Sequence, residues 1–544
     1  MLNEILSHLD GSAMMYGNKS LTDRISGKFY TPDLLALELA ERLTELVCNR
    51  SKLGPIIRIC DPFCGDGRLI VALLCQATER PSMRRRKWIV TLRDIDKHAI
   101  TAAEIAVRTA ANNLGLKVEI RKFIGDSFLD HVPQQHDVVV TNPPWELIKP
   151  DVRELASLSH RAAAMHRTRL RNLCNRLNQH FPEANAEKAF AGWGTNLARC
   201  GWALALRSCV PNGALGIVLP GTIFADQASR EMRRSAFHES TLVSATAYPP
   251  EARLFARVDQ PVVTATFLAK ARSGINATLS LYKADRTLKC TSQLLLSERE
   301  LVAVDYSLPI IFGGDGAELL KRLSLFPKLS DLEGVGADSL WAGRELDETR
   351  ILDKTVDGGR YPFAKGRNVK RHGFAELPTR SVRAAIAKQF KSIEFERIVW
   401  RDVSRSSQHR RMITAIVPSG WVTGNSLHVA YFRDGNPTRL RALYAVMASL
   451  VFEFQVRSRL GTGHMSLGVV RSTRIPQLDT KSVRRLSALS RKAFVDGKDA
   501  ALEVHVAREY GLCRDAFAAM LDFFPKMEPA HRTTMVDKAL WVQQ

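Results

Sequence analysis

Between residues 56 and 141 one pattern recurs: a short apolar run leads directly into a turn that carries an acid or an amide. Ile56–Cys60 leads to Asp61, Trp88–Leu92 to Asp94, Val118–Ile120 to Asp126, and Asp137–Thr141 to Asn142. Runs this short, rich in β-branched residues and separated by stretches of helical periodicity, predict buried parallel strands in βαβ units. With Leu215–Leu219 they extend the pattern from about Gly27 to Lys270. The expected fold is α/β, a doubly wound, mainly parallel, Rossmann-like sheet, in which the carboxyl ends of the strands share one crevice. The four polar turns would then face a common ligand.

Residues 151–190 interrupt this order with a basic, helical insertion; 151–180 alone hold six arginines and three histidines against two acids. Beyond Ser273 the strand–helix alternation gives way to shorter segments broken by Gly, Pro and Ser. The expected domains are therefore 1–272, a catalytic unit, and 273–544, a mixed α+β unit. A net charge of +22 favours a polyanionic partner, because each cation that meets a phosphate releases condensed counterions. Nine scattered cysteines without a Cys-x-x-Cys pair indicate neither zinc nor disulfides, and no metal is called for. No apolar run is long enough to span a bilayer, and Met1–Tyr16 does not read as a secretory signal, so a cytoplasmic protein is expected.

The chemistry is carried by the turns. In Asp61-Pro62-Phe63-Cys64-Gly65-Asp66-Gly67, glycines between a strand and a helix let the backbone approach a ligand, and Asp61 can receive a cationic or hydroxylic group. Asp94 lies where a doubly wound nucleotide site places the acid that binds ribose hydroxyls, and Asp126 can accept from an adenine amino group. Asn142-Pro143-Pro144-Trp145 is the decisive element. An exocyclic amine on a base is a poor nucleophile because its lone pair is delocalised into the ring. The Asn142 side-chain oxygen and the Pro143 carbonyl can each accept one amine hydrogen and aim that lone pair at a methyl donor. Pro144 stiffens the turn and, like Pro143, has no N–H to compete. Trp145 offers a flat face to an extruded base.

In this order, Gly27-Lys28-Phe29-Tyr30-Thr31-Pro32, Asp61–Gly67, Asp94-Ile95-Asp96, Gly125-Asp126-Ser127-Phe128 and Asn142–Trp145 resemble the gamma-class, TaqI-like N6-adenine DNA methyltransferases of restriction–modification systems. The resemblance implies S-adenosylmethionine as cofactor. Tyr30, Thr31, Asp61, Cys64, Gly65 and Gly67 would surround its methionine part; Asp94 would bind the ribose, Ile95 pack on the adenine and Asp126 accept from its amino group. Asn142 and Pro143 would take the target amine, Trp145 the flipped adenine, and Phe255 would pack against that base. Ser127 departs from the pattern, standing where some members carry an aromatic beside the cofactor adenine. The similarity covers roughly residues 20–272.

The second half resembles, more loosely, target-recognition domains. Lys365 to Arg411 carries thirteen Lys or Arg and four acids, interleaved with Phe374, Phe390, Phe395 and Trp400. Arg344, Lys365, Arg367, Lys370 and Arg401 are its candidate contacts to double-stranded DNA. No cysteine follows a proline, which excludes the cytosine-C5 mechanism. Methylation of RNA or of a protein glutamine, and a non-catalytic DNA-specificity subunit, are the competing readings. The motifs begin near residue 27, which leaves no room ahead of them for a nuclease, so any restriction endonuclease is expected on a separate chain.

Overall fold

The computed structural model describes residues 30–48, 54–130, 135–150, 155, 158–186, 194–255, 258, 260–270, 274–347, 355–405, 408–460 and 463–542. These form two compact units, residues 1–317 and 318–544.

The first unit is organised by a nine-stranded sheet. Its strands are β1 (Ile56–Asp61), β2 (Lys87–Asp94), β3 (Lys117–Ile124), β4 (His136–Thr141), β7 (Cys209–Pro220), β8 (Ser240–Tyr248), β9 (Val262–Ala269), β10 (Ile275–Tyr282) and β11 (Leu288–Leu296); β5 (Leu147–Ile148) and β6 (Thr195–Asn196) pair separately. The order across the sheet is β11-β10-β8-β9-β7-β4-β1-β2-β3. Strands β3, β2, β1, β4 and β7 run parallel, whereas β9 is antiparallel to both β7 and β8, and β11 to β10. All five runs expected as strands are strands.

Alternation along β4 shows why the sheet is covered on both sides. Val138 and Val140 join one apolar core with helices α1 (Asp33–Cys48), α2 (Arg68–Thr78) and α3 (Lys97–Leu114), while Val139 joins the other with α5 (Leu197–Ser208) and α6 (Arg230–Glu239). Successive strand side chains point to opposite faces, so these cores lie on opposite sides of the sheet. Helix α4 (His160–His180) occupies the expected insertion.

The expected boundary at 272/273 needs correction. β10 and β11 continue the same sheet, β10 pairing in parallel with β8, so this unit reaches Ala317. The loss of strand–helix alternation after Ser273 marks a hairpin added to the sheet rather than a new domain.

The second unit contains one four-stranded sheet built from Leu340–Gly343, Leu427–Phe432, Arg397–Arg401 and Thr414–Val417, and another built from Thr355–Asp357, Arg380–Val382, Tyr361–Ala364 and Val422–Thr423, each in that spatial order. Helices including Pro437–Ala448, Leu450–Ser458, Thr480–Asp496 and Ala500–Glu509 follow. This is the mixed α+β character expected. No helix among the described residues is long and apolar enough to cross a membrane.

Candidate active site

Strand order reverses at β1 and β4, and there the chain leaves both strands at their carboxyl ends. β1 ends in Asp61, which is buried; its Oδ1 accepts from the Thr141 hydroxyl at the end of β4 (2.7 Å) and from the Phe63 N–H (3.0 Å). Its Oδ2 is buried without a hydrogen-bond partner among the described residues. Burial raises the Asp61 pKa to about 7, although the Thr141 and Phe63 hydrogen bonds pull it down.

The glycine turn then folds back over β2. Cys64 N–H donates to the Arg93 carbonyl (2.9 Å) and Gly65 N–H to Asp94 Oδ2 (3.0 Å). Gly65 and Gly67 sit at φ of 51° and 82°, where other L-residues are strained. A β-carbon on Gly65 would lie 3.6 Å from the Tyr30 ring, so the ring borders this turn. Asp94 Oδ1 accepts from Asp96 N–H (2.9 Å), Ile95 beside it is 74% exposed, and Gly125 N–H donates to the Asp94 carbonyl (3.0 Å), which brings in the β3 turn. Asp126 Oδ1 accepts from Phe128 N–H (3.0 Å), and the Ser127 hydroxyl donates to the Pro62 carbonyl (2.6 Å). Ser127 thus ties two turns together.

After β4 comes the Asn142–Trp145 turn. Asn142 Nδ2 donates to the Thr31 hydroxyl (3.1 Å), while its Oδ1 is buried with no hydrogen-bond partner among the described residues. Pro143 is buried against α5: a β-carbon on Gly201 would lie 2.3 Å from that of Pro143. Pro144 and Trp145 are half-buried, and the Trp145 ring meets Phe255 edge-on at 5.1 Å. The expected residues from Tyr30 to Asp126, and those from Asn142 to Phe255, are therefore joined by short contacts along one edge of the sheet. Gly27–Phe29 lie outside the described residues.

Sequence reasoning missed several supports of this edge. Arg68, buried, pairs with Asp33 of α1 (2.8 Å) and Asp66 of the glycine turn (3.0 Å), fixing the turn against the helix that follows Thr31. A cation in the first turn of a helix opposes the helix dipole, which was the signal that it had local partners. Gly201 was the second signal, since a glycine inside a helix costs about 1 kcal/mol unless something packs closely on it.

The five candidate DNA contacts are placed less uniformly. Arg344 follows Leu340–Gly343 and is half-exposed, held by Asp402 (3.0 Å). Lys365 lies over the Phe363 ring (5.5 Å), and Arg367 and Lys370 are exposed. Arg401, by contrast, donates to the Val369 carbonyl and serves the packing of that segment. Of the interleaved aromatics, Trp400 is fully buried, its indole N–H donating to the Met465 carbonyl (3.2 Å), and Phe374 packs on Trp421.

The sequence pattern of the N-6 DNA Methylase family matches residues 14–304, more than half of the chain. The chain belongs to this family. It is also similar to the Type II methyltransferase M.VspI of Vibrio sp. (strain 343), with 28% identity over 159 residues, 28% of this chain and 34% of that protein. The match thus spans about a third of that relative's length. Among solved structures, the ATP-dependent Type ISP restriction-modification enzyme LlaBIII bound to DNA superposes with a TM-score of 0.50 at 10% identity, over 88% of this chain and 39% of that one. The Type IIL restriction-modification enzyme MmeI in complex with DNA gives 0.49 at 11% identity, over 93% and 76%. At 10% identity the LlaBIII structure speaks for the fold alone.

The donor set fits S-adenosylmethionine on chemical grounds. A buried carboxyl with one unpartnered oxygen suits a cation, a tight glycine turn beside a tyrosine ring leaves room for backbone approach, and two further carboxylates stand at successive strand ends.

Proposed function

We propose that this chain methylates the N6 amino group of adenine in DNA, using S-adenosylmethionine. The observation that carries the reading is the Asn142 side-chain oxygen, a buried acceptor with no partner among the described residues, at the carboxyl end of β4 and close in sequence to a half-buried tryptophan. Leaving a buried acceptor unsatisfied costs about 1–3 kcal/mol, a cost a bound amine would relieve.

In this reading Asp61 and the Cys64–Gly67 turn, with Tyr30 and Thr31, hold the methionine part of the cofactor. Asp94, whose carboxylate also accepts from the Gly65 and Asp96 N–H groups, receives the ribose hydroxyls, Ile95 offers its exposed side chain to the adenine, and Asp126 accepts from the adenine amino group. The cofactor supplies an electrophilic methyl group. Asn142 Oδ1 and the Pro143 carbonyl accept the two hydrogens of the target amine and turn its lone pair outward. The Thr31 hydroxyl fixes the Asn142 carboxamide so that oxygen, not nitrogen, faces the amine. Trp145, braced edge-on by Phe255, stacks the flipped base. Membership of the family supports this assignment over RNA or glutamine as substrate.

The second unit is assigned to recognition of a DNA sequence, through Arg344, Lys365, Arg367 and Lys370, and the whole to a cytoplasmic restriction–modification or related defence system with any endonuclease on a separate chain. The test is transfer of labelled methyl from S-adenosylmethionine to unmethylated genomic DNA, followed by nucleoside analysis and sequencing of modified sites. N6-methyladenine in one recurring sequence is the expected result; label in RNA or protein alone overturns the reading.

A further inference from the structure

Among the described residues of the insertion, helix α4 supplies no side chain to the candidate catalytic chemistry. Over His160–His180 it carries Arg161, Arg167, Arg169, Arg171 and Arg176 and no acidic residue, and all five arginines are exposed. Its buried edge is thin, only Ala163, Cys174 and Leu177. As a structural element the helix is poorly composed. Arg161 stands in the first turn, where a cation opposes the dipole. Local choices that work against the helix point to a compensating partner outside it.

The helix is nonetheless held firmly to the catalytic turn. The segment just after Trp145, Leu147–Ile148, pairs with Thr195–Asn196; the Cys174 thiol contacts the Ile148 carbonyl (3.4 Å), and the Thr195 hydroxyl donates to Asn178 Oδ1 (2.8 Å). At its end Phe181 meets Phe128 (6.0 Å), which in turn meets Phe63 of the glycine turn (4.9 Å). Whatever the helix grips is therefore positioned against the Asn142–Trp145 turn.

We infer that α4 is a phosphate clamp for the DNA strand flanking the target adenine, an inference that rests on the DNA-methylating reading above. Charge complementarity selects the partner. At ~1.5 Å rise per residue, Arg161 and Arg176 stand roughly 22 Å apart along the helix, about the rise of six to seven base pairs of duplex. An anchored row of cations of that length fixes register without reading bases, which is the work of backbone contacts.

The test compares the full-length protein with the triple variant Arg161→Gln, Arg169→Gln, Arg176→Gln. Duplex binding is followed against salt, and methyl transfer to the same duplex at about 0.15 M salt. Each lost phosphate contact flattens the log–log salt dependence by about 0.9, so the slope should fall by about 2 to 3. The KM for duplex should rise on the order of a hundredfold, with kcat within about twofold and cofactor affinity unchanged. The corresponding triple lysine variant should keep the wild-type slope, which separates loss of charge from loss of fold. An unchanged slope in the glutamine variant, with wild-type transfer intact, overturns the clamp alone. A wild-type protein that neither binds nor methylates duplex overturns the DNA reading and the clamp with it.

Discussion

Buried carboxylates are treated in opposite ways at the edge of the large sheet and in the second unit. At the edge of the large sheet, Asp61 Oδ2, Asn142 Oδ1 and Trp145 Nε1 are buried without hydrogen-bond partners among the described residues. In the second unit, Glu453, Glu503 and Asp499 are as deeply buried, yet every carboxylate oxygen is engaged. Glu453 takes Arg410 (2.7 Å), Arg457 (2.8 Å) and the Arg411 N–H (2.7 Å); Glu503 takes Arg371 (2.6 Å), Arg410 (2.9 Å) and the Leu450 N–H (2.6 Å); Asp499 takes Arg371, His372 (3.3 Å) and His531 (3.1 Å). Carboxylates whose oxygens are all engaged fix a structure, whereas buried donors and acceptors left open store capacity for a ligand. The difference teaches which of the buried carboxylates to assign to stability and which to chemistry.

The largest expected effect is on the closed side. Glu453→Gln leaves Arg410 and Arg457 short of a counter-charge and should destabilise the full chain by about 3–5 kcal/mol in urea unfolding. Burial would push the Glu453 carboxyl up, but Arg410 and Arg457 hold it down at about 2. Its contribution is therefore fully present above the ordinary value of 4.5 and is lost as pH falls from there toward 2, so the gap between wild type and variant should narrow over that window. A loss below about 1 kcal/mol would put Glu453 on the scale of a solvent-exposed ion pair and remove the contrast with Asp61.

On the open side the effect should appear in rate. Asn142→Ala is expected to lower methyl transfer about 10²- to 10³-fold, the scale for one group that orients and stabilises a transition state, with cofactor affinity unchanged and Tm nearly so. A variant that unfolds like Glu453→Gln, or that transfers methyl at the wild-type rate, would place Asn142 in the wrong class. Gly201→Ala sits between the two sides. Its β-carbon falls 2.3 Å from that of Pro143, so it should cost about 1–3 kcal/mol by overpacking and also slow transfer by shifting the Asn142–Trp145 turn. Thermal unfolding together with kcat separates the two losses.

The open side was legible in the sequence because its signals are local. Asp61, Asp94, Asp126 and Asn142 each follow an apolar run by a few residues, and strand order does the gathering. The closed side was not. Arg371, Arg410 and Arg411 read as part of a basic, nucleic-acid-facing stretch, yet Arg410 is satisfied by Glu503, ninety-three positions later, and Trp400 of the same stretch is core. Charge counts cannot distinguish a cation paired at long range from one facing solvent. The domain boundary failed for a related reason: the hairpin β10–β11 breaks the strand–helix rhythm but adds to the same sheet, and its pairing with β8 is a long-range fact.

The last expected effect concerns Asp61, where the open arrangement itself sets a pH dependence. Its carboxyl titrates near 7 because burial disfavours the charge, and its ordinary value is 3.8. Above 3.8 the unfolded chain ionises while the folded carboxyl resists, so Asp61 subtracts stability progressively between 3.8 and about 7. A cationic ligand, however, requires the ionised form. Affinity for S-adenosylmethionine, measured by calorimetry, should therefore strengthen with pH by up to about tenfold per unit below 7 and level off above it. Asp61→Asn should flatten that profile and weaken binding, yet raise Tm at neutral pH, since the neutral amide removes a charge the fold does not satisfy. A variant that binds more weakly and also melts earlier at pH 8 would show Asp61 to be a structural acid like Glu453, and the contrast between the two units would no longer hold at its centre.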